Sequence, residues 1–154
     1  MSHAELKKRR RADYDYVLEY RLRWSDNDMY DHMNNSIYYF LYDSVINSYL
    51  IENCGLNPPT SPQHGLMVHS ESDFFGAIAF PAIAELGLRI KKLGKSSVTY
   101  EVALFERGVV EVKSVAQLVH VFVNRSTGRP TTEGMNSTLR NGLQKILAQE
   151  PSKL

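Results

Sequence analysis

The residues best equipped for chemistry in this chain stand in one run, Trp24-Ser25-Asp26-Asn27-Asp28-Met29-Tyr30-Asp31-His32-Met33-Asn34-Asn35. It joins an alternating strand pattern to a long helical one. Free N–H groups at a helix start favour a negative charge beside them. They can also hold an oxyanion. Asp28, just ahead of the helix, could attack a carbonyl carbon set against those amides, or take a proton from a water that does. Such a joint moves an acyl group to water without serine, cysteine or metal, and it suits a thioester, which is more reactive than an amide. The same residue types also make caps and turns. His32 therefore reads as an orienting or structural histidine, and Asp26 as a turn or hydrogen-bonding residue.

A metal site competes for these side chains. Asp26-Asn27-Asp28 opens like a calcium loop, but position six is Asp31 rather than glycine and position twelve is Ile37 rather than glutamate. No His-Glu-x-x-His or paired Cys-x-x-Cys occurs, so no metal is expected. A net charge of +1 gives no general affinity for polyanions. The single cysteine, Cys54, excludes an internal disulfide and fits a reducing compartment. No apolar run reaches the ~20 residues that cross a bilayer, and no secretory signal is visible.

Both ends carry signals of their own. Lys7-Lys8-Arg9-Arg10-Arg11 reads as part of a basic, flexible tail over residues 1–12, since blocks of like charge are usually solvated. RNA binding is the alternative use. Ser152-Lys153-Leu154 matches the peroxisomal address at the C-terminus of a polar 149–154 tail. The expected location is the peroxisomal matrix, with the import receptor as partner; the cytoplasm is the alternative.

One domain is expected between the tails, over residues 13–148. Alternation predicts a strand across 13–24, with Tyr16, Leu18, Tyr20, Leu22 and Trp24 inward. A helix starts at Asn35 or Ser36 and closes at Asn53-Cys54-Gly55, about 17 residues and roughly 26 Å long. Its inner face is read as Ile37, Phe40, Leu41, Ser44, Val45, Ser48 and Tyr49. Its tyrosines either pack or line a tunnel. Residues 57–62 form a loop. Strands follow at Leu66–Phe75, Ala82–Leu93, Ser97–Glu106 and Val109–Asn124. The last has a parity shift between Val112 and Val115 that predicts a bulge. A short helix at Asn136–Ala148 ends the domain. The fold class is α+β: a five-stranded antiparallel sheet wrapped around one long helix, with more surface to bury by dimerisation.

The run Arg23–Tyr39 resembles the signature of the hotdog-fold acyl-CoA thioesterases, D-x-D-x-x-G-H-x-N-N-x-x-Y, in the branch typified by 4-hydroxybenzoyl-CoA thioesterase. Val68–Phe75, Leu93–Val98 and Thr127–Pro130 match later elements in order. The resemblance implies hydrolysis of a fatty-acyl or aryl-CoA thioester to free acid and CoA, in a homodimer or homotetramer with sites at the dimer interface. Asp28 takes the place of the nucleophile or general base, and Asn35 supplies the amide that polarises the carbonyl. His32 and Asn34 stand beside them. Lys95, Ser96 and Ser97 fall on the turn that meets the nucleotide end of CoA, with Lys91 and Lys92 as nearby cations. No cofactor is implied, as CoA is part of the substrate. One departure stands out. The usual glycine before the histidine is Asp31, which must tolerate a positive φ if the turn needs one and adds a third carboxylate. A second branch takes its carboxylate from mid-helix, where Asp43 and Glu52 are candidates. A noncatalytic acyl-CoA or fatty-acid carrier on the same fold is the alternative function.

Overall fold

The computed structural model describes residues 1–149. It contains α1 (His3–Leu6), β1 (Tyr16–Arg21), α2 (Asn35–Asn53), β2 (Gln63–Phe74), β3 (Ile83–Leu93), β4 (Ser97–Glu106), β5 (Ser114–Asn124) and α3 (Ser137–Gln144). The strands form one sheet in the order β1-β3-β4-β5-β2. Every neighbouring pair is antiparallel. The sheet curls around α2, which is the expected architecture.

The core lies between α2 and the inner sheet face. Tyr42, Val45 and Ile46 are fully buried against Leu86, Leu88, Val102 and Leu104. The inner face of α2 differs from the one read in the sequence. Tyr38, Leu41, Tyr42, Val45, Ile46, Tyr49 and Leu50 are buried, whereas Phe40 is 66% exposed. The helix is rotated because its tyrosines are core residues whose hydroxyls find partners inside. Tyr42 Oη bonds the hydroxyls of Ser114 and Ser72, each at 2.8 Å, and Tyr49 Oη bonds the Gly142 carbonyl. A buried ring with a satisfied hydroxyl behaves as an apolar group.

Boundaries of strands and of the last helix also differ. β1 stops at Arg21, because the chain makes a 3-10 turn at Trp24–Asp26 that swings Trp24 out to 78% exposure. β5 begins only at Ser114. The parity shift near Val112 marks the end of a loop, and the bulges lie instead at Val68 in β2 and Lys91 in β3. The last helix ends at Gln144, after which Ile146 and Ala148 bond to Ile90 of β3, next to the bulge.

Two arginines of the N-terminal basic run dock on the sheet, while Lys7, Lys8 and Arg10 stay exposed. Arg9 grips buried Glu101 with Nε and Nη2, each at 3.0 Å, and Arg11 bonds Glu85 and the carbonyls of Glu106 and Val109. Among the described residues, no helix is long and apolar enough to cross a membrane. The C-terminal Ser-Lys-Leu lies outside the described residues.

Candidate active site at the start of the central helix

Asp26 organises the joint. It is fully buried and accepts hydrogen bonds from Tyr20 Oη (2.8 Å), Arg23 N (2.7 Å) and Arg23 Nη2 (3.0 Å). Burial alone would raise its pKa. The bonds from Arg23 and Tyr20 outweigh that and hold it below the usual carboxylate range. Its carbonyl accepts from Asn34 N at 2.8 Å, which ties the strand end to the helix start. Tyr20 and Arg23 were not singled out in the sequence; the strand alternation that placed Tyr20 inward was the available signal.

Residues 27–33 close into a small hairpin. Asn27 and Met33 form a bridge, Met33 N donates to Ile78 O at 2.7 Å, and the Asn27 side chain accepts from Phe80 N at 3.0 Å. Inside the hairpin, Asp28 N donates to His32 O at 2.8 Å. The Asp28 carboxylate folds over its own turn, with Oδ1 accepting from Tyr30 N at 2.8 Å and, at 3.5 Å, from His32 N. Oδ2 has no hydrogen-bond donor among the described residues. Asp28 is half-buried and His32 exposed. His32 borders an open depression of ≈ 470 Å³ with Ala77, Ala79, Pro81 and Glu106.

Asp31 sits at φ 61°, as the departure from glycine required. An aspartate bears this left-handed geometry better than most side chains, and a β-branched one bears it badly. Asp31→Val is expected to lower stability by about 1–2 kcal/mol, whereas Asp31→Gly should hold or gain. Denaturant midpoints of the two variants check this.

Asn34 caps α2, its Oδ1 accepting from Ser36 N (3.0 Å) and Ser36 Oγ (2.9 Å). The Asn35 N–H, next in line, has no acceptor among the described residues and is one of the orphan donors of a helix start. The hairpin that fixes the Asp28 carboxylate thus runs directly into the helix start that carries this amide, tied to it by Asn34 N on the Asp26 carbonyl. On the other flank of the helix start, a groove of ≈ 360 Å³ opens between Tyr20, Arg23, Ile37, Phe40, Leu41 and Ser44.

The remaining candidates are elsewhere. Lys91 turns onto the outer sheet face, where Nζ bonds Gln117 Oε1 at 3.2 Å. Lys95, Ser96 and Ser97 make the β3–β4 turn, closed by Gly94 N to Ser97 O at 2.8 Å. β3 has 11 residues, roughly 36 Å of strand. Its first residues adjoin the hairpin and its last lead into that turn. One protomer thus does not bring these four residues to Asp28. Lys92 lies exposed near the same far end. Asp43 is exposed on α2 and accepts from Asn47 Nδ2 at 3.1 Å, while Glu52 is engaged by Tyr16 Oη at 2.8 Å. Cys54 closes the far end of α2, its thiol pushed up to about 12 by burial, which rules out a thiolate nucleophile at neutral pH. Among the described residues, no three His, Cys, Asp or Glu side chains are grouped to hold a metal ion.

The sequence model of the thioesterase superfamily matches residues 30–113, from the tip of the hairpin into the loop before β5. A solved protein of Pseudomonas aeruginosa strain PAO1 is 40% identical, over 92% of this chain and 98% of its own, with a TM-score of 0.87. The chain belongs to the thioesterase superfamily. Its sheet and central helix are the hotdog fold of that superfamily. Two more distant structures share the fold. A 1,4-dihydroxy-2-naphthoyl-CoA thioesterase from Synechocystis is 12% identical over 85% of this chain and 96% of its own, TM-score 0.75. A Staphylococcus aureus protein solved in complex with CoA is 11% identical over 90% and 87%, TM-score 0.78. No curated protein is significantly similar to the chain. The superfamily match starts two residues after Asp28.

Proposed function

We propose that this thioesterase hydrolyses acyl-CoA esters, fatty-acyl or aryl, to the free acid and CoA. The observation that carries the reading is the Asp28 carboxylate, anchored through Oδ1 by backbone amides in a hairpin that leads straight into the capped start of α2, where Asn35 is the first residue. With the thioester carbonyl oxygen against that amide, the helix start stabilises the negative charge that develops there. Asp28 either takes a proton from water, whose hydroxide adds to the carbonyl carbon, or adds directly to give an anhydride that water then cleaves. In both routes the C–S bond breaks and the CoA sulfur leaves with the electron pair, collecting a proton.

The distance between Asp28 and the Lys95–Ser97 turn supports a two-chain site. β2 is an edge strand of 12 residues that leaves Leu66, Met67 and Val68 exposed. Its Phe74 end packs on Tyr38 near the helix start, ring centroids 4.9 Å apart. Its Gln63 end bonds Gly134, whose neighbour Met135 bonds Lys95 O. Antiparallel pairing of β2 with β2 of a second copy sets the Gln63 end of one beside the Phe74 end of the other. The partner's β3–β4 turn then approaches the first chain's Asp28. In that assembly Lys95, Ser96 and Ser97 meet the CoA phosphates, with Asn34 and His32 flanking the ester. Lys91, held by Gln117, is the weakest of the binding candidates. The terminal Ser152-Lys153-Leu154 supports import into peroxisomes, where acyl-CoA chains are handled.

A panel of short, long and aryl CoA esters, read by released thiol, tests the function. Turnover of at least one class is expected. Tight binding of esters without release of thiol would instead mark a carrier.

A further inference from the structure

One stripe of α2 is left over from the core. Ile37, Phe40, Leu41 and Ser44 recur at helical spacing, the pattern of a face that packs. Leu41 is buried and Ile37 half-buried, but Phe40 is 66% exposed and Ser44 is exposed as well. This stripe forms one wall of the ≈ 360 Å³ groove, and Tyr20 and Arg23 form the other. Buried Asp26 fixes that second wall, accepting from Tyr20 Oη at 2.8 Å and from Arg23 Nη2 at 3.0 Å. The Arg23–Asp26 pair carries no net charge, and an arginine stem is itself apolar surface. The groove starts in the first turn of α2, where the Asn35 amide lies, and reaches Ser44 roughly 13 Å along the axis. It lies on the β1 side, at the opposite edge of the sheet from β2. Pairing of two chains through β2 leaves it open.

Given ester hydrolysis at the helix start, we propose that this groove receives the acyl chain, that the substrate is a linear fatty-acyl ester rather than an aryl one, and that Phe40 and Ser44 set the preference for chain length. Three features select this occupant. The groove opens in the same helical turn as the amide that meets the thioester carbonyl, so a chain attached to that carbonyl leads into it. It is long and follows the helix, which suits a straight chain and leaves a flat aryl group in contact at one end only. Its walls are apolar or neutral as a pair, so an uncharged chain gains by leaving water there and covers Phe40 as it does so. The stripe is thus packed by substrate instead of by the sheet.

The test compares butyryl-, dodecanoyl- and benzoyl-CoA on wild type, Phe40→Ala and Ser44→Leu. Ser44→Leu fills the far end of the groove, and Phe40→Ala removes its wall; both positions are exposed, so the fold should tolerate the changes, which circular dichroism checks. Wild type is expected to favour dodecanoyl- over benzoyl-CoA in kcat/KM by about tenfold or more, and each variant to lower the dodecanoyl-to-butyryl ratio by about tenfold. A ratio unchanged in both folded variants, or a wild-type preference for benzoyl-CoA, would overturn the proposal. Calorimetry on Asp28→Asn, with and without Ser44→Leu, reads the groove apart from the reaction. Dodecanoyl-CoA should bind more tightly than CoA alone, and Ser44→Leu should erase the difference. That result with no ester turned over by wild type would sink the hydrolase and keep the groove. Equal binding of dodecanoyl-CoA and CoA would sink the groove, whether or not esters are hydrolysed.

Discussion

Asp28→Asn is expected to lower turnover of the best ester in the panel by about a thousandfold, with KM changed only a few-fold. Asparagine keeps the size of the side chain, and its Oδ1 can still accept from Tyr30 N, so the hairpin should survive. What disappears is the negative oxygen that adds to the carbonyl or takes the proton. In the proposed mechanism the Asn35 amide and the partner's turn bind the ester independently of this charge, which is why the loss is expected on kcat. Steady-state thiol release, with ester binding measured by calorimetry on the same variant, separates the two effects. Full activity in Asp28→Asn would remove this residue from the reaction. If Asp43→Asn were then the inactive variant, the chemistry would move to the middle of α2.

Glu101→Ala is expected to cost about 3 kcal/mol of stability. The carboxylate is the common partner of Arg9, Arg89 and Tyr14, and the side chains of Arg9 and Arg89 are only 14% and 17% exposed. Its removal leaves cations facing one another in a nearly dry pocket. Burial pushes the Glu101 pKa up, but the bonds from Arg9 and Tyr14 and the charge of Arg89 hold it below its ordinary value. A depressed carboxylate contributes its full stability above the unfolded pKa of about 4.3. That contribution is lost as pH falls through the lower folded value. The gap in denaturant midpoint between wild type and Glu101→Gln should therefore be widest near neutrality and close in acid. A gap independent of pH would mean that the ion cluster adds nothing through its charge.

The parts of this architecture that follow from periodicity were legible in the sequence. β4 spans Ser97–Glu106 as expected, and α2 ends at Asn53 as expected but starts at Asn35 with Asn34, not Asn35 or Ser36, as its cap. What could not be read was which way side chains face when polar and apolar character coexist in one residue. Tyrosines placed the wrong stripe of α2 inward in the sequence reading, because their rings bury while their hydroxyls find Ser114, Ser72 and Gly142. The N-terminal arginines failed for a related reason. A basic block is solvated unless a buried acid awaits it, and Glu101 lies 92 residues further along the chain. Within the site, Asp31's left-handed backbone was legible from the missing glycine. The anchoring of Asp26 by Tyr20 and Arg23, and the separation of the Lys95 turn from Asp28, needed three dimensions.

The hairpin from Asn27 to Met33 is pinned by Ile78 and Phe80 at its mouth and by Asp28 and His32 within. Its length is therefore not free to drift. One inserted residue would part the acid from the first turn of the rod. Two side chains escape this constraint, Met29 and Tyr30 at the tip, 88% and 76% exposed. They are the natural places for diversification, where a new preference among esters could arise while the reaction itself stays intact.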